Sequence, residues 1–387
     1  MANAPPSTRD ELRSDIRLAQ ATTAAGVVPS RDRAAQRTWG VWCSFCASIN
    51  ADPFMSQVAD PVMLLQLFGV RWRDGRISPS GEPNRARSVE DAIRFVGQKF
   101  SSLGAADPRL DAAGKQDFRL RRMYSAWKKV DDPPTRVEPV PMIILLRSDE
   151  MLDHTNERDN ATLDCIWIAF YFLLRPGEYI YSTSDSQTPF RLCDIEFKLG
   201  GRHFFDAHLA TTLQLLSADF VSLTFTNQKN GVKGEKLAHM SNGNPRSCPV
   251  RATLRRVAHL NSNNAPPTTP LYCYYSAGRQ RRVTSAMITS ILRASALSIP
   301  GYAGVQPDNI ATRSLRSSGA MALLLGGIDP DRIRILGRWR SDAMYRYLHS
   351  HALPLIRDNS RLMFRGGHYN LVTRTRTPLN LPNHTRP

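Results

Sequence analysis

The sequence predicts a mainly helical chain with a small antiparallel β-sheet, an α+β fold, divided into two domains. Three observations lead there. Apolar residues recur at helix-face spacing through most of positions 31–130 and again after Cys248. Strand-like runs are confined to one window, from Arg191 to Met240. Between the helical regions lies DDPPTRVEPVPM, Asp131 to Met142, whose four prolines and missing apolar period mark an extended linker.

Residues 1–30 are polar and rich in Ala, Pro, Ser and Thr, and are expected to form a disordered tail. The first domain, 31–130, opens with RDRAAQRTWGVWCSFCASI, which sets Trp39, Trp42, Phe45 and Cys46 at helical spacing. DPVMLLQLFGVRWR, SVEDAIRFVGQKFSSLG and GKQDFRLRRMYSAWKKV continue the helical pattern. The pair Cys43 and Cys46 has no further ligands at zinc spacing and belongs to the core.

After the linker, 131–142, the second domain covers 143–360. ATLDCIWIAFYFLL is apolar nearly all round and therefore predicts a buried helix. RLCDIEFKL, HFFDAHL and DFVSLTFTNQKNGVKGEKLAHM read as strands, the last a hairpin turning at Asn230-Gly231. Helices resume at CPVRATLRRVAHL, SAMITSILRASAL, SLRSSGAMALLL, DPDRIRILG and SDAMYRYLHS. Residues 361–387 form a basic tail containing Arg374, Arg376 and Arg386 and no acidic residue.

Bulk properties narrow the function. Of the 387 residues, 42% are hydrophobic and 22% charged, an ordinary globular composition. No apolar run approaches the roughly 18 residues of a membrane span, so no membrane partner is expected. The N-terminus lacks an apolar signal core, and the six cysteines are scattered. An intracellular protein with reduced thiols is expected. The net charge of +17 argues for a polyanionic partner, nucleic acid first.

Three motifs carry chemistry. In LLRPGEY, Arg175 ends a buried helix, Pro176 suits the first position of a new one, and Glu178 stands three residues on, where it can orient the guanidinium. In RSLR, Arg313 and Arg316 are at i and i+3 and share a helix face beside apolar residues, an arrangement suited to a bound phosphate. In GRWRSDAMYRY, Gly337 breaks a helix and Ser341 caps the next, on which Tyr345 and Tyr347 must face different ways. Fixed guanidinium groups stabilise the charge that builds on a phosphodiester under attack. A tyrosine, with a pKa of about 10, needs such a cationic setting to act as nucleophile, and a lysine can protonate the departing 5′-hydroxyl.

The order LLRPGEY, a hairpin lysine, RSLR, then GRW with a tyrosine ten residues after its glycine resembles the tyrosine recombinase/integrase family. The wording GRWRSDAMYRYLH is most similar to the recombinases of Crypton- and DIRS-type eukaryotic mobile elements. The resemblance implies that 143–360 is the catalytic domain and 31–130 the helical core-binding domain of a clamp around double-stranded DNA. It further implies a nuclear protein, a synaptic homo-tetramer, and strand exchange through a 3′-phosphotyrosyl intermediate with no metal and no cofactor. Carried over residue by residue, Arg175 matches the first catalytic arginine and Glu178 its acidic companion. Lys229, at the end of its strand, matches the hairpin lysine, with Lys233 as the fallback. Arg316 matches the second arginine, Arg338 the later His/Trp position, and Tyr347 the nucleophile.

Two positions depart from the family. Arg313 replaces the histidine of the His-x-x-Arg box, and Arg338 the later His or Trp. An arginine stays protonated and cannot take the tyrosine proton, so either the arginines lower the tyrosine pKa or solvent accepts the proton. Two alternatives stay open: an inactive DNA-binding descendant of a recombinase, and a monomeric type IB topoisomerase-like enzyme.

Overall fold

The computed structural model describes residues 5–27, 29–133, 137–182, 188–200, 203–226, 233–299, 305–340 and 345. It is mainly helical with small antiparallel sheets, the class expected. The chain divides into two compact units. The first is Met1–Arg136 with Ile180–Asp194 and Thr224–Lys236; the second is Val137–Tyr179 with Ile195–Leu223 and Leu237–Pro387. The break after Arg136 falls inside the proline-rich segment, whereas Ile180–Asp194 and Thr224–Lys236 group with the first unit and not with the rest of 143–360.

The first unit contains α1 (Pro6–Ala25), α2 (Pro29–Ala47), α3 (Pro61–Arg73), α4 (Ala86–Ser102) and α5 (Phe118–Val130). Helix α1 lies within 1–30: Ala, Leu, Arg, Glu and Gln dominate its middle, and these are good helix formers. Its described side chains lie largely at the surface, so it adds nothing to the core. The core is an aromatic cluster across α2 and α3, with Trp42 and Phe68 edge to face at 5.2 Å between centroids and Phe68 to Trp72 tilted at 5.5 Å. Val89, Ile93, Val96 and Phe100 of α4 close over it at i, i+4, i+7 and i+11. Asp60 caps α3 by accepting from the Val62 and Met63 amides, with Pro61 in the first turn. Cys46 is buried in this core, and burial pushes its thiol up to about 12, which makes it unreactive.

The second unit is built around α7 (Glu157–Tyr171), whose residues from Ala161 to Phe170 are all buried. Around it stand α6 (Met142–Met151), the short α8 (Pro176–Tyr179), α10 (Pro249–Ser262), α11 (Ser285–Leu297), α12 (Ser314–Leu325) and α13 (Pro330–Leu336), with α9 (Thr212–Ser217) beside the sheet. A four-stranded sheet runs in the order β2-β1-β3-β4, with β1 Ile195–Leu199, β2 His203–Asp206, β3 Phe220–Phe225 and β4 Glu235–Met240. Ile195 faces Leu223 and Phe197 faces Val221, so every second residue of the β1–β3 pair is apolar and buried. The expected Asn230-Gly231 turn lies outside the described residues.

A separate two-stranded ribbon, β5 (Cys273–Ser276) and β6 (Arg279–Arg282), follows α10. Its two turn residues, Ala277 and Gly278, both have positive φ, 49° and 71°, as a type I′ hairpin requires. Arg256, buried in α10, donates from Nε to the Leu271 carbonyl at 3.1 Å and from Nη2 to the Cys273 carbonyl. His259 fastens the ribbon as well: Nε2 accepts the Tyr275 amide at 2.9 Å while Nδ1 lies 2.9 Å from Glu157.

That geometry requires a neutral His259, since Nε2 must be an unprotonated acceptor. Burial, aided by the Arg256 charge, lowers its pKa below the ordinary 6.5. His239, whose Nε2 donates to the Tyr171 carbonyl at 2.9 Å, is lowered by burial too. With folded-state values below the unfolded ones, the unfolded chain binds more protons, and stability falls as pH falls from about 6.5 through the folded pKa. Thermal unfolding of the full chain is expected to move to lower temperature between pH 7 and pH 5. The shift should be smaller in His259→Gln, and an equal shift in the two proteins would refute the role of this histidine.

Candidate functional site

The site begins where α7 ends. Phe172 donates its amide to the Ile168 carbonyl, Leu173 turns left-handed at φ 51°, and the Leu174 amide returns to the Ala169 carbonyl at 3.1 Å. This is the Schellman closure of a helix, with leucine in the place that glycine usually takes. A left-handed leucine costs roughly 1–2 kcal/mol of backbone energy, offset here by burying the side chain against Ala320 and Ile333. The turn aims the Leu173 carbonyl away from its own helix.

Helix α13 ends in the same way. The Arg338 amide bonds to the Ile335 carbonyl at 2.9 Å and the Trp339 amide to the Arg334 carbonyl at 3.0 Å, with Arg338 at φ 58°. Sequence reasoning places the break at Gly337, but the left-handed residue is Arg338. Gly337 serves another purpose: a Cβ there would collide with the Trp339 ring. The ring folds back over the guanidinium of Arg316, 4.3 Å from its centroid, a close cation–π contact.

These pieces meet at the Leu173 carbonyl. It accepts Nη1 of Arg316 at 2.6 Å and Nη2 of Arg338 at 3.2 Å. Arg316 also donates from Nη2 to the Gly337 carbonyl, tying α12 to the end of α13. The same Nη2 of Arg338 reaches Oε2 of Glu178 at 3.2 Å. Glu178 accepts the Arg175 amide at 2.7 Å and Arg175 Nη1 at 3.0 Å. The first of these bonds is half of a capping box: Arg175 is the N-cap, Pro176 the first helical residue and Glu178 the third.

Four of the sequence-predicted residues, Arg175, Glu178, Arg316 and Arg338, are therefore one connected group. Arg316 and Arg338 are buried, Glu178 is 4% exposed and Arg175 16%, which makes Arg175 the member nearest the surface. Arg313 does not share the inward face expected from its i,i+3 spacing. It stands before the first turn of α12 as the N-cap and is exposed, while Arg316 turns into the core. Lys233 is exposed. Lys229 and Tyr347 lie outside the described residues.

Tyrosine chemistry can be sorted among the described residues. Tyr179, next to the cluster in sequence, is 2% exposed, donates its hydroxyl to the Thr312 carbonyl at 2.9 Å, and is pushed well up by burial. It is a structural strut and no nucleophile. Tyr345 is exposed at 53%. Two features escaped sequence reasoning, the Leu173 carbonyl and the Trp339 ring. The only sequence signal was the Gly-x-Trp spacing at Gly337 and Trp339.

No family model and no curated protein matches the chain. Among solved structures, it is similar to XerA recombinase at 14% identity, over 92% of this chain and 98% of that one, with a TM-score of 0.35. It is similar to XerH site-specific recombinase bound to palindromic difH substrate at 13% identity, over 81% and 73%, with a TM-score of 0.46. It is similar to the Tn1549 transposon integrase in complex with circular intermediate DNA at 12% identity, over 84% and 98%, with a TM-score of 0.42. At these identities and TM-scores the likeness assigns the chain to no family.

Removing one partner from a buried charge pair costs about 3–5 kcal/mol. Glu178→Ala, which removes the carboxylate shared by Arg175 and Arg338, is expected to lose that much in urea unfolding, and Gly337→Ala about 1–3 kcal/mol through displacement of Trp339. A loss below about 1 kcal/mol in both variants would contradict the connected group.

Proposed function

We propose that the chain is a tyrosine recombinase that cuts and rejoins double-stranded DNA. The observation that carries this reading is the convergence of Arg175, Arg316 and Arg338, from three separated segments, around one carboxylate and one carbonyl. Burial in a low-dielectric surrounding strengthens the field that such guanidinium groups exert on a phosphate at the surface. The net charge of +17 supports a polyanionic partner.

In this reading Arg175 and the exposed Arg313 meet the non-bridging oxygens, while Arg316 and Arg338 act from beneath. The Tyr347 hydroxyl oxygen attacks phosphorus and loses its proton. A phosphotyrosyl bond forms, the P–O5′ bond breaks, and Lys229, or Lys233 in its place, protonates the departing 5′-oxygen. Attack by a new 5′-hydroxyl reverses these steps and restores the phosphodiester. The covalent bond conserves the phosphodiester energy, so no nucleotide cofactor is required. Arginine cannot act as the general base; the surrounding charge favours the tyrosinate and solvent takes the proton. Exchange between two sites implies a homo-tetramer on DNA, and the resemblance to mobile-element recombinases implies work in the nucleus.

The test is a duplex carrying a nick near the cleavage position, which traps the covalent product by releasing a short 5′ fragment. Wild type is expected to yield a protein–DNA adduct resistant to denaturant, and Tyr347→Phe at least about 100-fold less (~2.7 kcal/mol). Wild type that binds DNA but gives no more adduct than Tyr347→Phe would identify an inactive DNA-binding descendant. Relaxation of supercoiled DNA with no exchange between sites would identify a topoisomerase.

A further inference from the structure

The β5–β6 ribbon has no part in the arginine cluster. Every residue of β6, Arg279, Gln280, Arg281 and Arg282, is exposed. Arg279 and Arg281 share one face of the strand and Gln280 and Arg282 the other. Arg279 and Arg281 form no ion pair or side-chain hydrogen bond among the described residues. Other arginines of the same unit do have carboxylate partners: Arg147 with Glu150 at 2.9 Å, Arg255 with Asp164 at 2.6 Å, Arg334 with Asp331 at 3.4 Å.

A charged edge strand can serve simply to discourage pairing with another chain. The strand β6 carries three arginines in four residues. Its base is fixed: the Arg256 and His259 bonds hold β5 to α10, and the Val283 amide closes onto the Tyr272 carbonyl at 2.9 Å. The tip is a tight two-residue turn. A rigid two-stranded ribbon is one of the elements that the major groove of B-DNA, about 12 Å wide, admits. Two arginines two residues apart on a strand are about 7 Å apart, close to two base-pair steps. Arginine forks fit the O6 and N7 acceptors of guanine.

We propose that the β5–β6 ribbon enters the major groove of the bound duplex and that Arg279 and Arg281 read guanine edges there. This rests on the DNA-joining reading above and adds to it the residues that choose the sequence. The test selects duplexes from a randomised library with full-length wild type, the double variant Arg279→Ala/Arg281→Ala, and Arg281→Gln, with thermal unfolding as a check on folding. Wild type is expected to enforce guanine at two positions about two steps apart. The double variant should lose about 10-fold or more in discrimination at both positions and keep the rest of the site. Arg281→Gln should move one of them from guanine to adenine, whose N6 and N7 glutamine fits. The same selected site from all three proteins would overturn the proposal and leave the ribbon a solvated edge. Unchanged base preferences with a salt slope lower by about 2 in the double variant would also overturn it, by making the arginines phosphate contacts. Wild type that binds no duplex would sink the DNA reading itself, a result visible before any ribbon variant is tested.

Discussion

One backbone carbonyl, that of Leu173, organises the second unit's charged centre. It accepts from two guanidinium groups belonging to two different helix ends. It has two lone pairs to offer and no following turn to occupy them. Turning Leu173 left-handed is what frees it to face Arg316 and Arg338. The arginines are thus held by the main chain as well as by Glu178, which fixes their planes in a way that a lone side-chain ion pair does not.

Two otherwise unrelated glycines follow from that arrangement. Gly319 in α12 lies so close to the end of α7 that a Cβ would collide with the Phe170 carbonyl and the Leu173 side chain. Gly337 leaves room for Trp339, whose ring covers Arg316. Glycine in a helix is unfavourable by roughly 1 kcal/mol relative to alanine, so Gly319, inside α12, exchanges helix propensity for close approach, while Gly337 caps the end of α13. The result is a preorganised group, in which little reorganisation is needed when a charge develops nearby.

Much of this was legible in the sequence, and the failures are informative. The all-round apolar run from Ala161 to Leu174 announced a buried helix because no polar face interrupts it. Arg175 with Glu178 was legible because Arg-Pro-Gly-Glu fits a helix start. The meeting of Arg316 and Arg338 at a carbonyl was not, since main-chain acceptors have no sequence signature and left-handed Leu173 and Arg338 break the glycine rule. Arg313 and Arg316 looked equivalent by spacing, yet the N-cap position set one outside and the helix interior buried the other. The β5–β6 ribbon went unread because RQRR resembles a solvated loop and Ala-Gly is a weak hairpin signal. Helix α1 was missed because Ser, Thr and Pro near its ends obscured the helix formers between them.

In the proposed function the arginine group serves the transfer of a DNA phosphate to one tyrosine. Tyr345 and Tyr347 are two residues apart in the sequence, so the identity of the nucleophile separates them. Mass-spectrometric mapping of the covalent adduct, after nuclease trimming to a single nucleotide and proteolysis, decides between them most directly. The account predicts a nucleotide on Tyr347 and an unmodified Tyr345. A nucleotide on Tyr345, or on a residue elsewhere in the chain, would contradict it.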